Sequence, residues 1–205
     1  MTYVYRCAYA GDAKLLPWTA IEPIRLTDTV TGAAPRLSTV VRACWTDRAL
    51  HFRFECEDDH VVATMGRRDD PLYDEDVVEV FLDESGEGEN YLEFEVSPAN
   101  VLFDAEVTYF EEGRIRADTG WDAVGIETTA IETDAGTRCV ELHIPFENFR
   151  EAPTDGTVWR WNAYRIDEDR DGTRQYSAWS PTGKINFHMP GKFGKLLFVR
   201  EYDEE

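Results

Sequence analysis

No stretch of the 205-residue chain comes near the ~20 consecutive apolar residues that a membrane-spanning helix requires, so no span is expected in it. Basic residues are scarce: 21 lysines and arginines face 41 aspartates and glutamates, a formal net charge of −20. Nucleic-acid binding needs a basic footprint, which is missing, and an anionic membrane surface is disfavoured on the same ground. Such a chain suits a neutral or cationic partner, or a divalent metal. Cysteines are few, at 7, 44, 56 and 139, and no CxxC is present, so zinc spacing is absent. The opening MTYVYRCAYAGDAKLL has no basic region followed by an apolar one, so no secretory signal is legible. There is no GxSxG, no HExxH and no glycine-rich phosphate loop after a strand, and no nucleophile–base constellation stands out. With 41 acids in the chain, a glycosidase-like carboxylate pair carries no information.

What remains is a folding sequence, 42% hydrophobic and 13% aromatic, long enough for one sizeable domain over 1–205. Alternating apolar and polar residues predict strands over 3–7, 37–46, 49–57, 77–83, 90–97, 101–109, 122–131, 137–144, 157–166, 174–180 and 194–200. Turn sequences such as TDRA, DESGEGEN, SPAN, EEGR, TDAG and SPTGK separate them. Helical signals are confined to short turns near 16–20 and 146–150. Many short strands with frequent turns predict an all-β fold, a single-domain antiparallel β-sandwich of the immunoglobulin or jelly-roll kind. In the 37–46 and 49–57 strands, Val41, Ala43 and Trp45 point inward, as do Leu50, Phe52, Phe54 and Cys56. Cys44 therefore points outward, away from Cys56, and a disulfide between them is not expected. Free thiols point towards a reducing compartment.

The segment RRDDPLYDEDVVEVFLDE, 67–84, holds eight acids. In 77–83, Val78, Val80 and Leu82 form one face and Val77, Glu79, Phe81 and Asp83 the other. In the following strand Leu92, Phe94 and Val96 oppose Tyr91, Glu93 and Glu95. Matching the apolar faces sets Leu82 against Leu92, Val80 against Phe94 and Glu79 against Glu95. Like charges directly opposite are destabilising in a sheet, so an arginine, a cation or a ligand's hydroxyl groups should compensate. Arg165, in WRWNAYRID, is the candidate arginine. A simply solvated acidic face is the alternative, but Val77, Phe81 and Tyr91 share it. Rings that stack a sugar beside carboxylates that accept its hydroxyls would use such a face.

In order along the chain, VVRACWTDRALHFRFECED, DPLYDEDVVEVFLDE, YLEFEVSPANVLFDAEV, VELHIPFENF, WRWNAYRID, SAWSPT and FHMPGKFGKLLF resemble a family 9 carbohydrate-binding module, within the DOMON-like β-sandwich group. The resemblance spans nearly the whole chain. It implies a β-sandwich with no catalysis of its own. It also implies a mono- or oligosaccharide partner, often a reducing end, association with glycoside hydrolases, and bound calcium. It implies an exported protein as well, against the free thiols. Sugar-binding members sandwich the ring between two aromatics, which fall here on Tyr73 and Phe187. Those members use tryptophans. Glu79 would accept hydroxyls beneath the slot, and Glu95 stands where a basic or amide group would be expected. Tyr73 on the sandwich rim and Phe187 closing the last strand are the plainer alternatives. His188, beside Phe187, is expected as a loop histidine bonded to backbone, or as a polar contact in the slot.

Two further signals concern cofactors. DEDRDG, 167–172, begins like an EF-hand loop, but position twelve would be Ala178, so Asp167, Asp169 and Asp171 read as a calcium-holding hairpin turn or a plain acidic turn. DDPLYDED is a second calcium candidate. No organic cofactor is expected, with haem b as the alternative function, held through Met65, Met189 or His188 without any CxxCH. The six tryptophans mostly occupy strand-like positions and read as core.

Overall fold

The computed structural model describes residues 3–11, 15–133 and 136–200; the ends of the expected 1–205 domain and part of the expected TDAG turn lie outside them. Fourteen strands follow in chain order: β1 (Val4–Tyr9), β2 (Ile24–Arg25), β3 (Thr27–Asp28), β4 (Thr39–Trp45), β5 (Ala49–Glu57), β6 (Val77–Asp83) and β7 (Asn90–Val96). The second half adds β8 (Leu102–Glu111), β9 (Arg114–Asp118), β10 (Glu127–Glu132), β11 (Thr137–Pro145), β12 (Val158–Glu168), β13 (Arg174–Ala178) and β14 (Gly194–Val199). Short 3-10 turns at Trp18–Ala20 and Phe146–Asn148 stand where the two helical turns were expected.

The hydrogen-bonded path runs β10-β11-β5-β4-β1-β14-β12-β6-β7-β8-β9. It curls into two layers, and Phe52, Phe54, Val80, Phe94 and Trp161 meet in the core between them. Most pairings are antiparallel. The exception is β1, which runs parallel to both β14 and β4 and joins the layers. Parallel neighbours need a long connection, and between β1 and β14 that connection is most of the chain.

A second apolar cluster, with Phe81, Tyr91, Phe103, Tyr164 and Phe187, covers the outer face of β6, β7, β8 and β12. All seven residues of β6 are consequently buried, Glu79 included. The β6–β7 register is the expected one: Leu82 opposes Leu92, Val80 opposes Phe94 and Glu79 opposes Glu95. Asp83 closes this hairpin by accepting from Ser85 Oγ and from the N–H groups of Gly86 and Gly88, each at 2.8 Å. Both glycines sit at positive φ, 72° and 79°, which L side chains rarely adopt.

Three strands were not foreseen, β2, β3 and β9, and the expected 122–131 strand forms only from Glu127. All four cysteines are buried and free, in keeping with the opposed directions of Cys44 and Cys56.

Candidate functional site

On the outer face of the second layer lies a cleft of about 360 Å³. Its floor follows from the two-residue period of β6 and β7. Glu79 and Phe81 project from β6, with Glu93 and Glu95 on the same face of β7. Tyr73 stands at the rim on the 3-10 turn Leu72–Asp74, which buried Leu72 anchors. The residue is 47% exposed, and its ring meets Phe103 edge-on at 6.0 Å. Phe187 closes another side, stacked face to face on Tyr164 at 4.1 Å and 11°. One face of Phe187 is thus already covered, so it serves the second core and the cleft wall together. His188 stacks on Phe81 at 5.2 Å, and its Nδ1 lies 2.7 Å from the Tyr91 hydroxyl. The ring is therefore satisfied by a side chain, where a backbone partner was expected. Burial pushes its pKa down to about 4, so it is neutral at pH 7.

The floor is unusual electrically. One carboxylate oxygen from each of Glu79, Glu93 and Glu95 lies within 4.8 Å of the others. All three side chains are buried. Burial first, and then the Glu93 charge, raises the Glu79 pKa well above its usual value. Burial and the charges of Glu79 and Glu93 do the same for Glu95. Burial pushes Glu93 up to about 7. Glu79 Oε1 and both Glu95 oxygens are without a hydrogen bond among the described residues. The Tyr73 N–H and the Glu93 carboxyl lie near Glu95 without meeting it at hydrogen-bonding geometry. Leaving a buried polar atom unpaired costs roughly 1–3 kcal/mol, so the site is poised for a partner.

Tyr73, Glu79, Glu95, Phe187 and His188 thus come together as expected, and Arg165 does not. In β12 it is Tyr164 that opposes Glu79, and Arg165 opposes Val78, so Arg165 projects from the other face of the sheet. There it donates to Thr39 Oγ1 at 3.1 Å and the Glu57 carbonyl at 2.8 Å, and pairs with Asp167. The expected metal turn is also rearranged. Asp167 joins Asp58 and Asp76. Asp169 turns to Arg36 and Gln175, and Asp171 accepts from the Thr173 N–H. Met65 and Met189 do not line the cleft, so the haem candidates are not gathered around His188.

Calcium, which the resemblance implied, is a poor fit to either aspartate cluster. In Asp58–Asp76–Asp167, Arg165 pairs with Asp167 and Arg138 with Asp58, while the Asp76 oxygens accept from the N–H groups of Val62 and Glu168. In Asp69–Asp104–Asp122, Arg68 lies 2.7 Å from Asp104 and 2.8 Å from Asp122. In each cluster, arginine already pairs with two of the three aspartates.

Sequence reasoning left Glu93 out of the site, although it shares a face with Tyr91 and Glu95. It also missed Ile115 and Ala117 of β9 and Tyr176 of β13, which line the cleft as well. The alternation of RIRAD was the available signal for β9.

Comparison with known proteins gives a consistent result. The model of the "Carbohydrate family 9 binding domain-like" family matches residues 13–201. An "Extracellular protein" of Arthroderma benhamiae is 27% identical over 213 residues, covering 94% of each chain. "Endo-1,4-beta-xylanase A" of Thermotoga maritima is 24% identical over 185 residues, 89% of this chain but 16% of that enzyme. A family 9 carbohydrate-binding module from Caldicellulosiruptor kristjanssonii, solved in complex with cellotriose, superposes with a TM-score of 0.71 at 17% identity, covering 98% of this chain and 96% of that one. In complex with glucose the TM-score is 0.70 at 18% identity, over 99% of both chains.

Proposed function

The chain belongs to the carbohydrate family 9 binding domain-like family, and on that premise we propose that it is a non-catalytic carbohydrate-binding domain whose outer cleft holds a mono- or oligosaccharide. The observation that carries this reading is the cleft itself. A half-exposed tyrosine at the rim, Phe187 on another side and buried carboxylates in the floor lie within one space of about 360 Å³, large enough for a sugar ring. The sugar's C–H face packs on Tyr73 and the wall, and its hydroxyls donate to Glu79 and Glu95, whose oxygens need donors. The cellotriose and glucose in the Caldicellulosiruptor complexes support this class of ligand. The match to part of a xylanase supports a role beside glycoside hydrolases.

Titration calorimetry with glucose, cellotriose and a wider sugar panel tests the reading. Because Tyr73 projects into the cleft and not into the core, Tyr73→Ala is expected to weaken sugar binding roughly tenfold or more. Its melting temperature should stay within about 2 °C of the parent, as for a surface change. Undiminished binding by Tyr73→Ala would remove the cleft from the reading, and no binding by any sugar would remove the reading.

A further inference from the structure

Three clusters of three carboxylates lie among the described residues. Asp58–Asp76–Asp167 is met by Arg165 and Arg138, and Asp69–Asp104–Asp122 by Arg68. Glu79–Glu93–Glu95 is the most buried of the three, at 2%, 4% and 0% exposure, yet no lysine or arginine is among the described residues that line its cleft. Three of its oxygens, Glu79 Oε1 and both of Glu95, have no hydrogen bond among the described residues. A fold that supplies an arginine to each of its other two clusters leaves open the one that faces a cavity.

We propose that the missing cation arrives with the ligand: the cleft selects a sugar bearing a protonated primary amine, with the ammonium among Glu79, Glu93 and Glu95 and the ring against Tyr73. This rests on the carbohydrate reading above and narrows it to amino sugars. An ammonium carries three N–H donors and no acceptor, which suits three clustered carboxyl groups, two of which hold unpaired oxygens. The aromatic surroundings favour an organic cation, since Tyr73, Phe103 and Phe187 line the space that an ammonium and the C–H groups beside it would fill. A bare divalent ion fits less well. It seeks six to eight oxygens in a hydrated shell, and the cleft is far larger than an ion and walled mostly by aliphatic and aromatic side chains.

Titration behaviour agrees. The other ionisable groups around the three glutamates are Tyr91 on β7, Tyr164 on β12, Tyr73 on the rim turn, Tyr176 on β13 and His188 in the closing loop. None of them is positively charged at neutral pH, His188 being held neutral by burial. The empty cleft therefore retains protons that an incoming ammonium displaces. Binding of the amino sugar should release protons and strengthen as pH rises from mildly acid to neutral.

The test is calorimetry on the whole chain with glucosamine, glucose, N-acetylglucosamine and cyclohexylamine, in two buffers of different ionisation heat, with calcium titrated separately. Glucosamine is expected to bind about tenfold or more tighter than glucose or N-acetylglucosamine, as a charge-assisted contact allows. Its heat should differ between the buffers, and Glu95→Gln should remove most of the preference. Should that variant fail to fold, the buffer dependence in the parent chain decides. Equal binding of glucose and glucosamine overturns the inference and leaves the carbohydrate reading standing. Binding of cyclohexylamine as tightly as glucosamine overturns both, because the site then reads charge without sugar. Calcium binding that is lost in Glu95→Gln, with no response to glucosamine, overturns the inference in favour of a metal site.

Discussion

The inter-layer aspartates and the cleft glutamates answer the same physical problem in opposite ways. On the inner side of β12, Asp167 pairs with Arg165, which is itself buried and also bonded to Thr39 and the Glu57 carbonyl, and Asp58 pairs with Arg138. On the outer side of the same sheet, Glu79, Glu93 and Glu95 have comparable burial and no such partner. The first arrangement is complete without a ligand. The second holds unpaired oxygens beside a cavity, an arrangement that costs stability and makes sense only if something enters. Charge of one sign is thus structural on one face of the sheet and functional on the other. The difference lies in whether a guanidinium reaches the carboxylates.

The comparison breaks most visibly if the arginine is removed. Arg165→Met leaves buried Asp167 with only the more distant Arg36, at 4.0 Å, and breaking a buried pair by deleting one partner typically costs about 3–5 kcal/mol. Urea unfolding should register that loss, and a change below about 1 kcal/mol would mean that the inner cluster does not depend on Arg165. A smaller effect is expected at Arg68. Its partner Asp104 is fully buried, but Arg68 is 38% exposed and Asp104 keeps the Ala123 N–H at 2.6 Å. Arg68→Met should cost about 1–2 kcal/mol in the same assay.

How much of this could be read beforehand follows from where registers are set. The β6–β7 hairpin was legible, down to Glu79 against Glu95, because a local turn and one continuous apolar face allow a single register. Arg165 was not. β12 is buried on both faces, with Trp161 on one and Tyr164 on the other, so alternation does not say which way Arg165 points. Its register against β6 is also set by no nearby turn. The aspartate clusters were invisible for a related reason: residues 58, 76 and 167 come together only through tertiary pairing, whereas DEDRDG is a local motif whose carboxylates disperse to separate partners. Tyr73 and Phe187 reached the cleft through family resemblance, and periodicity alone would have passed them over, since both stand outside the strands.

The cleft half of the comparison is sharpened by pH. The folded-state pKa values of Glu79, Glu93 and Glu95 are raised above the ordinary value of 4.5, with Glu93 at about 7. Between those limits the folded chain binds more protons than the unfolded one. This contribution to stability is therefore full below 4.5 and is lost as pH rises towards neutrality. Glu79→Gln removes one ionisation, and its amide can donate to the Glu95 carboxylate opposite. The variant should be more stable than the parent by on the order of 1 kcal/mol near pH 8, and equal to it near pH 4. Melting curves across pH check this, and parallel profiles for parent and variant would show that the cleft acids carry no burial cost.

The smallest expected effect concerns chelation. If Arg165 and Arg68 already supply the positive charge in the two aspartate clusters, a chelator has no ion to withdraw from them. The melting temperature should then be unchanged with EDTA and on returning calcium. A ligand bound only to the folded state would have raised it by adding stability, roughly 2.7 kcal/mol at a hundredfold excess over Kd. A fall with EDTA that calcium reverses would mean that a carboxylate group does hold a metal. Repeating the scan with Asp169→Ala and with Glu95→Gln then locates it. Loss of the calcium response in Asp169→Ala would return the metal to the DEDRDG turn. Loss in Glu95→Gln would place it in the cleft, and the contrast between the two faces of the sheet would become one between a guanidinium and a metal ion.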